Sequence, residues 1–123
     1  MKPLVSGAEV KRFIAPATDT YVLFPYALAG GNARLRSVAE METDYPRAWA
    51  WLKSHEPQLR ARENREFDDD AWYRFGRSQN IDKQDFIKLL VPRLVSSLKV
   101  AIDTNGSMYC DNVDVGGRDP CQR

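Results

Sequence analysis

Two alternating segments, LKVAIDT and SMYCDNV, flank Asn105-Gly106, and no other stretch limits the fold of this chain so tightly. Asn-Gly between alternating arms is the strongest short-range hairpin cue, because both turn residues must take positive φ. A two-residue loop pairs Ile102 with Tyr109, Val100 with Asp111 and Leu98 with Val113. That register predicts Leu98, Val100, Ile102, Tyr109 and Val113 on the core face, with Asp111 the misfit. Cys110 falls on the opposite face beside Ala101.

Prolines and caps punctuate the rest. Ser6-Gly7-Ala8-Glu9 has the form of a capping box and predicts a short helix over 7–12, closed before Pro16. Thr20-Tyr21-Val22-Leu23-Phe24 reads as a buried strand ending at Pro25. Gly30-Gly31-Asn32 is a turn. Asp44 or Tyr45 caps a helix with Pro46 in its first turn, Trp49 and Leu52 sharing one face. Pro57 splits that helix, and a further turn or two runs from Pro57 to about Asn64, with Ser54 or His55 near its cap. Asp68-Asp69-Asp70 is an acidic loop. Segments 72–75 and 86–91 read as strands, and the tail GGRDPCQR has little to pack. The expected fold is α+β, mainly antiparallel strands with a helical insertion between Asp44 and Asn64.

A chain of 123 residues fits a single domain. No apolar run approaches the roughly 20 residues that cross a bilayer, and MKPLVSGAEVKRF is too polar for a secretory signal. Cys110 and Cys121 lack CxxC spacing and His55 is the one histidine, so neither a disulfide scaffold nor a zinc site is indicated. A reducing, cytoplasmic setting follows, with no membrane partner.

Catalysis finds little support. His55 sits among Lys53, Ser54 and Glu56 at a helix break, where a surface role is the simpler reading. Asp68, Asp69 and Asp70 point in different directions and lack the alternation of a calcium loop. Glu63, Asp85 and Lys88 form an acid–acid–lysine set only if Lys88 shares a face with Asp85, and a spacing of three in a strand opposes them.

Binding is better supported. From Trp72 to Ala101 there are six Lys/Arg against two Asp, although the whole chain carries a net charge of only +1. Such asymmetry is expected where one face meets a polyanion. Arginine outnumbers lysine two to one, which suits bidentate phosphate or guanine recognition but follows equally from a GC-rich coding sequence. Trp72 and Tyr73 alternate along the predicted strand, which turns one to the core and the other to the surface, and the simpler alternative is that both pack inside. Gly76 between Arg74 and Arg77 removes bulk where a phosphate could approach. Gln79 and Asn80 carry amides of the kind that read adenine. Lys88 and Arg93 extend the basic segment. Arg34 and Arg36 form a second patch if 33–38 is a strand.

Four phrases together resemble the TaqI-like C-terminal specificity domain, the target recognition domain of adenine-N6 DNA methyltransferases and fused restriction–methylation enzymes. They are KPLVSGAEVKRF, YVLFPY, AWAWLKSHEPQLRARE, and WYRFGRSQN followed by KLLVPRLVSSLKVAID. Their order matches the family's run of an opening segment, a strand–Pro–Tyr step, a W-x-x-L…L-x-x-R helix, W-Y-x-x-G-R-x-Q and K-hydrophobic-x-x-P. The likeness extends to about Val115. It implies a non-catalytic module that contacts duplex DNA beside a covalently linked methyltransferase domain. That domain would bind S-adenosylmethionine and flip adenine from the duplex. The Asn-Pro-Pro-Tyr motif and cofactor loop of such a domain are absent from these residues. The resemblance therefore implies a fragment of a larger bacterial restriction-modification enzyme, with an added Met1 and a native domain continuing past Arg123. It transfers Trp72, Tyr73, Gly76, Arg77 and Gln79 as a motif. Two other readings stay open: a protein-interaction module using Trp49/Trp51 and Trp72/Tyr73, and a small metal-dependent nuclease using Glu63, Asp85 and Lys88.

Overall fold

In a computed structural model, residues 1–12, 14–93, 96–111 and 113–116 are described, the last four by backbone alone. Along the chain run β1 (Lys2–Val5), β2 (Tyr21–Val22), β3 (Tyr26–Ala29), β4 (Asn32–Leu35), α1 (Val38–Asp44), α2 (Pro46–Ser54) and α3 (Glu56–Arg60). β5 (Lys88–Pro92), β6 (Ala101–Asp103), β7 (Tyr109–Cys110) and β8 (Val113–Gly116) follow. The fold is α+β and its pairing mainly antiparallel. The chain divides into two compact units. Met1–Phe24 with Asn80–Arg123 make the first, and Pro25–Gln79, which includes α1, α2 and α3, make the second. No helix among the described residues is long and apolar enough to cross a membrane.

In the first unit, β1 pairs antiparallel with β2 and parallel with β7, while β5 lies between β6 and β8, antiparallel to both. Val5, Val10, Leu90 and Ala101 form its apolar centre, with Met108 and Cys110 packed against them. The period of two along β5 buries Lys88, Leu90 and Pro92 and leaves Leu89 outside.

The predicted 98–113 hairpin does not form. Gly106 has φ +63, but Asn105 does not take positive φ, so the paired left-handed residues of a type I′ turn are missing. Instead the Asp103 carboxylate accepts hydrogen bonds from the backbone N–H groups of Ser107 and Met108. A side chain closes the turn, and the two arms pair elsewhere, β6 with β5 and β7 with β1. The facing is inverted as well. Ala101 and Asp103 are buried, whereas Ile102 is 54% and Leu98 72% exposed. Asp103 must reach Lys88, and a shift of one residue exchanges every side chain between the faces of a strand. Tyr109 is buried as expected. The β8 backbone at Val113 pairs with Pro92 rather than Leu98. The side chain of Val113 and the tail from Gly117 onward, with Cys121, lie outside the described residues.

The predicted helix over 7–12 is also absent. The Glu9 carboxylate accepts from Ser6 N–H at 2.8 Å and from the Ser6 hydroxyl at 2.5 Å, yet only a turn over 7–9 follows. Six residues with Gly7 at their head repay helix nucleation poorly, and Val10 gains more by entering the core. The 20–24 strand shrinks to Tyr21–Val22, with Tyr21 exposed, and pairing resumes beyond Pro25 in β3.

The second unit opens with the β3–β4 hairpin. Gly30 and Gly31 take φ +57 and +77, as a two-residue loop of primed type requires. α1 has no counterpart in the sequence expectations, although Ser37 and Glu40 cap it reciprocally. α2 starts at Pro46 and buries Trp49 and Leu52 as expected. The helix breaks at His55 and α3 resumes with Pro57 in its first turn. Beyond it Glu63, Asn64 and Arg65 take φ of 47, 57 and 71, a left-handed turn built without glycine. Residues 71–74 form turns rather than a strand, which lets neighbouring rings point the same way. Trp72 and Tyr73 are both buried, and both meet the ring of Trp49, at 5.5 and 5.2 Å between centroids.

Candidate nucleic-acid interface

The WYRFGRSQN segment divides into a fastened half and an open half. The Arg62 guanidinium donates to the carbonyls of Leu59 (2.8 Å), Trp72 (2.8 Å) and Arg74 (3.0 Å). Tyr73 donates its hydroxyl to the Arg36 carbonyl at 2.6 Å, and Phe75 N–H donates to the Tyr26 hydroxyl at 2.9 Å. Burial pushes the phenols of Tyr26 and Tyr73 above their ordinary pKa. From Gly76 to Asn80 every residue is exposed.

Arg74 belongs to the fastened half. It pairs with Asp69 at 2.5 Å, donates to the Glu66 carbonyl and lies over the Phe67 ring at 4.6 Å. The hydrogen bond from Arg74 holds the Asp69 carboxyl below the usual range. Asp68 is likewise held by Arg65 and by Arg60, and all three aspartates of the acidic loop are exposed. Gly76 faces a carboxylate rather than an open approach: a Cβ there would lie 3.0 Å from Glu63 Oε1.

Arg77 and Gln79 are exposed, with no hydrogen bond or ion pair from their side chains among the described residues. They are the two predicted contacts of the second unit that remain available. Arg34 is exposed but bound to Glu40 through both nitrogens, at 2.9 and 2.7 Å. Arg36 lies beyond the end of β4 with its guanidinium 4.9 Å from the Tyr45 ring. The two do not make the shared strand face that their spacing suggested.

In the first unit, Asn80 is exposed with φ +59, and its carbonyl accepts from Gln84 Nε2. Arg93 is exposed. Lys88 is a correction: its side chain is 1% exposed, so it cannot meet a phosphate. Its ammonium donates to Asp103 Oδ2 (2.6 Å) and to the carbonyls of Gln84 (2.7 Å) and Phe86 (3.4 Å), which uses all three donors. Burial raises the Asp103 pKa, but the bond from Lys88 and the Met108 and Ser107 amides outweigh it, and the net shift is downward.

Two members of the nuclease set have other partners. Asp85 accepts from the Tyr109 hydroxyl at 2.7 Å and lies 3.7 Å from Lys2, Lys88 is committed to Asp103, and Glu63 belongs to the other unit. Among the described residues, no three His, Cys, Asp or Glu side chains gather where a metal ion could be held. Arg62, absent from the expected site residues, organises the segment more than any other side chain. It is the arginine of the L-x-x-R phrase, so a signal for it stood in the sequence. Compared with protein families and with curated proteins, the chain matches none.

Proposed function

We propose that this chain is a DNA-contacting module, the target recognition part of an adenine-N6 DNA methyltransferase of restriction-modification type, without catalytic activity of its own. The carrying observation is that Arg77 and Gln79, exposed and without side-chain partners among the described residues, directly follow a segment tied down by Arg62, Tyr73 and Arg74. A guanidinium presented from a rigid base reaches a phosphate or a base edge at small entropic cost. The resemblance supplies the rest: a linked methyltransferase domain binding S-adenosylmethionine, in a cytoplasmic enzyme. Its phrases fall on framework here, since Arg62 and Lys88 both hold loops.

The test is fluorescence anisotropy with labelled duplex DNA. A lone module is expected to bind at roughly 10⁻⁴ to 10⁻⁶ M at physiological salt. Arg77→Ala with Gln79→Ala should weaken binding several-fold without moving Tm, and unchanged binding would remove the proposed contacts. Labelled S-adenosylmethionine should transfer no methyl group to DNA, and any transfer by the pure chain would overturn the non-catalytic assignment. The protein-interaction reading keeps one favourable observation, the 54% exposure of Trp51, because Trp49, Trp72 and Tyr73 are spent on the core.

A further inference from the structure

The outward face of α2 carries a feature that the contacts at Arg77 and Gln79 do not use. Trp49 and Leu52 turn inward, which leaves Arg47, Ala50, Trp51 and Ser54 outward at spacings of three and four. Trp51 is held from one side. Its ring stacks on His55, with centroids 4.2 Å apart and planes inclined by 29°. The imidazole is fixed in turn, since Nδ1 lies 2.9 Å from the Trp51 carbonyl and 2.9 Å from the Ser54 hydroxyl. An exposed indole in open rotamer exchange loses entropy when it stacks on a ligand, and an indole already braced loses less.

The electrostatics select the ligand. Arg47, one turn before Trp51, is exposed and has no hydrogen bond or ion pair among the described residues. α2 contains no carboxylate, and the first one after it, Glu56, is taken by Lys53 and Arg60, each at 2.7 Å. Before α2, Glu42 accepts from the Trp49 indole N–H, and Asp44 makes no ion pair with Arg47 among the described residues. An aromatic face thus stands beside an unpaired cation and matches a nucleobase with its phosphate. Base–aromatic stacking with a basic flank is the recurrent means of holding an unpaired strand. We infer that Trp51 is a stacking platform for an unpaired DNA base, with Arg47 on the adjoining phosphate. This rests on the DNA-contacting reading and adds a separate contact for bases outside the duplex.

The chain has three tryptophans, and Trp49 and Trp72 are 7% and 3% exposed, so an emission change on adding DNA reports on Trp51. The probes are a short oligothymidylate, a duplex with one extrahelical base, and a fully paired blunt duplex. The first two should quench the emission and the third should not. Trp51→Ala should abolish the quench and weaken oligothymidylate binding roughly tenfold. Arg47→Glu should weaken it too and keep the melting temperature, as both side chains are exposed. Arg77→Ala should leave the quench amplitude intact. Binding of paired duplex through Arg77 with no quench by any probe would overturn the stacking role and leave the DNA reading standing. Failure of all three probes to bind would remove both.

Discussion

Lys88 and Asp103 show how far a single ion pair can set local structure. Both are nearly inaccessible, with side-chain exposures of 1% and 3%, and each has further hydrogen bonds that complete its valence. Removing one partner of a buried pair strands the other charge, so Lys88→Met should cost about 3–5 kcal/mol in urea unfolding at neutral pH. Lys88→Met with Asp103→Leu should cost less than the sum of the single changes, and strict additivity would show that the pair is not coupled. The pH dependence follows from the lowered pKa of Asp103. Its contribution is present above the ordinary carboxylate value of 3.8 and is lost as pH falls below it through the folded-state value. At the alkaline end Tyr26, Tyr73 and Tyr109 are all raised above 10.0, chiefly by burial. Their contribution is complete below that value and declines as pH rises past it. A stability profile that stayed flat from pH 9 to about 12 would contradict the burial of these phenols.

At the scale of elements, turns do more than strands to set this fold. A Cβ on Gly106 would lie 2.4 Å from the Asp85 carbonyl oxygen, whereas one on Gly31 would meet nothing within 4 Å. Gly31→Ala should therefore cost about 1 kcal/mol for its positive φ alone. Gly106→Ala should cost clearly more, and equal losses in thermal melts would contradict the close approach. The left-handed turn at Glu63, Asn64 and Arg65 gives the opposite expectation. Glu63→Gly relieves a strained backbone and should raise stability by about 0.5–1 kcal/mol. These elements also mark what the sequence could disclose. Pro46, Pro57 and the Gly30-Gly31 pair act locally, and their effects were legible. Asn105-Gly106 misled because Asp103 substitutes its side chain for a backbone ladder, drawn inward by a lysine fifteen residues away. Ser37-Val38-Ala39-Glu40 carried the same capping signature as Ser6–Glu9. What separates them is packing: α1 buries Met41, and the 7–9 turn has no helical face to bury.

Across the whole molecule, the sorting of arginines was the least legible property. Composition shows that they are abundant, but which carboxylate each one meets is a tertiary fact. Arg74, Arg34 and Arg60 are consumed by Asp69, Glu40 and Glu56, and Arg62 by three carbonyls. Arg77 and Arg47 remain without such partners among the described residues. The central claim is that Arg77 meets a DNA phosphate or base edge, and the salt dependence of binding tests it most directly. For the unaltered chain, log affinity for duplex DNA should fall linearly with log salt, and Arg77→Ala should reduce the slope by about one if its contact is a phosphate. If the contact is a base edge, the slope should hold while affinity falls. An affinity that hardly responds to salt, and is the same with and without Arg77, would contradict it.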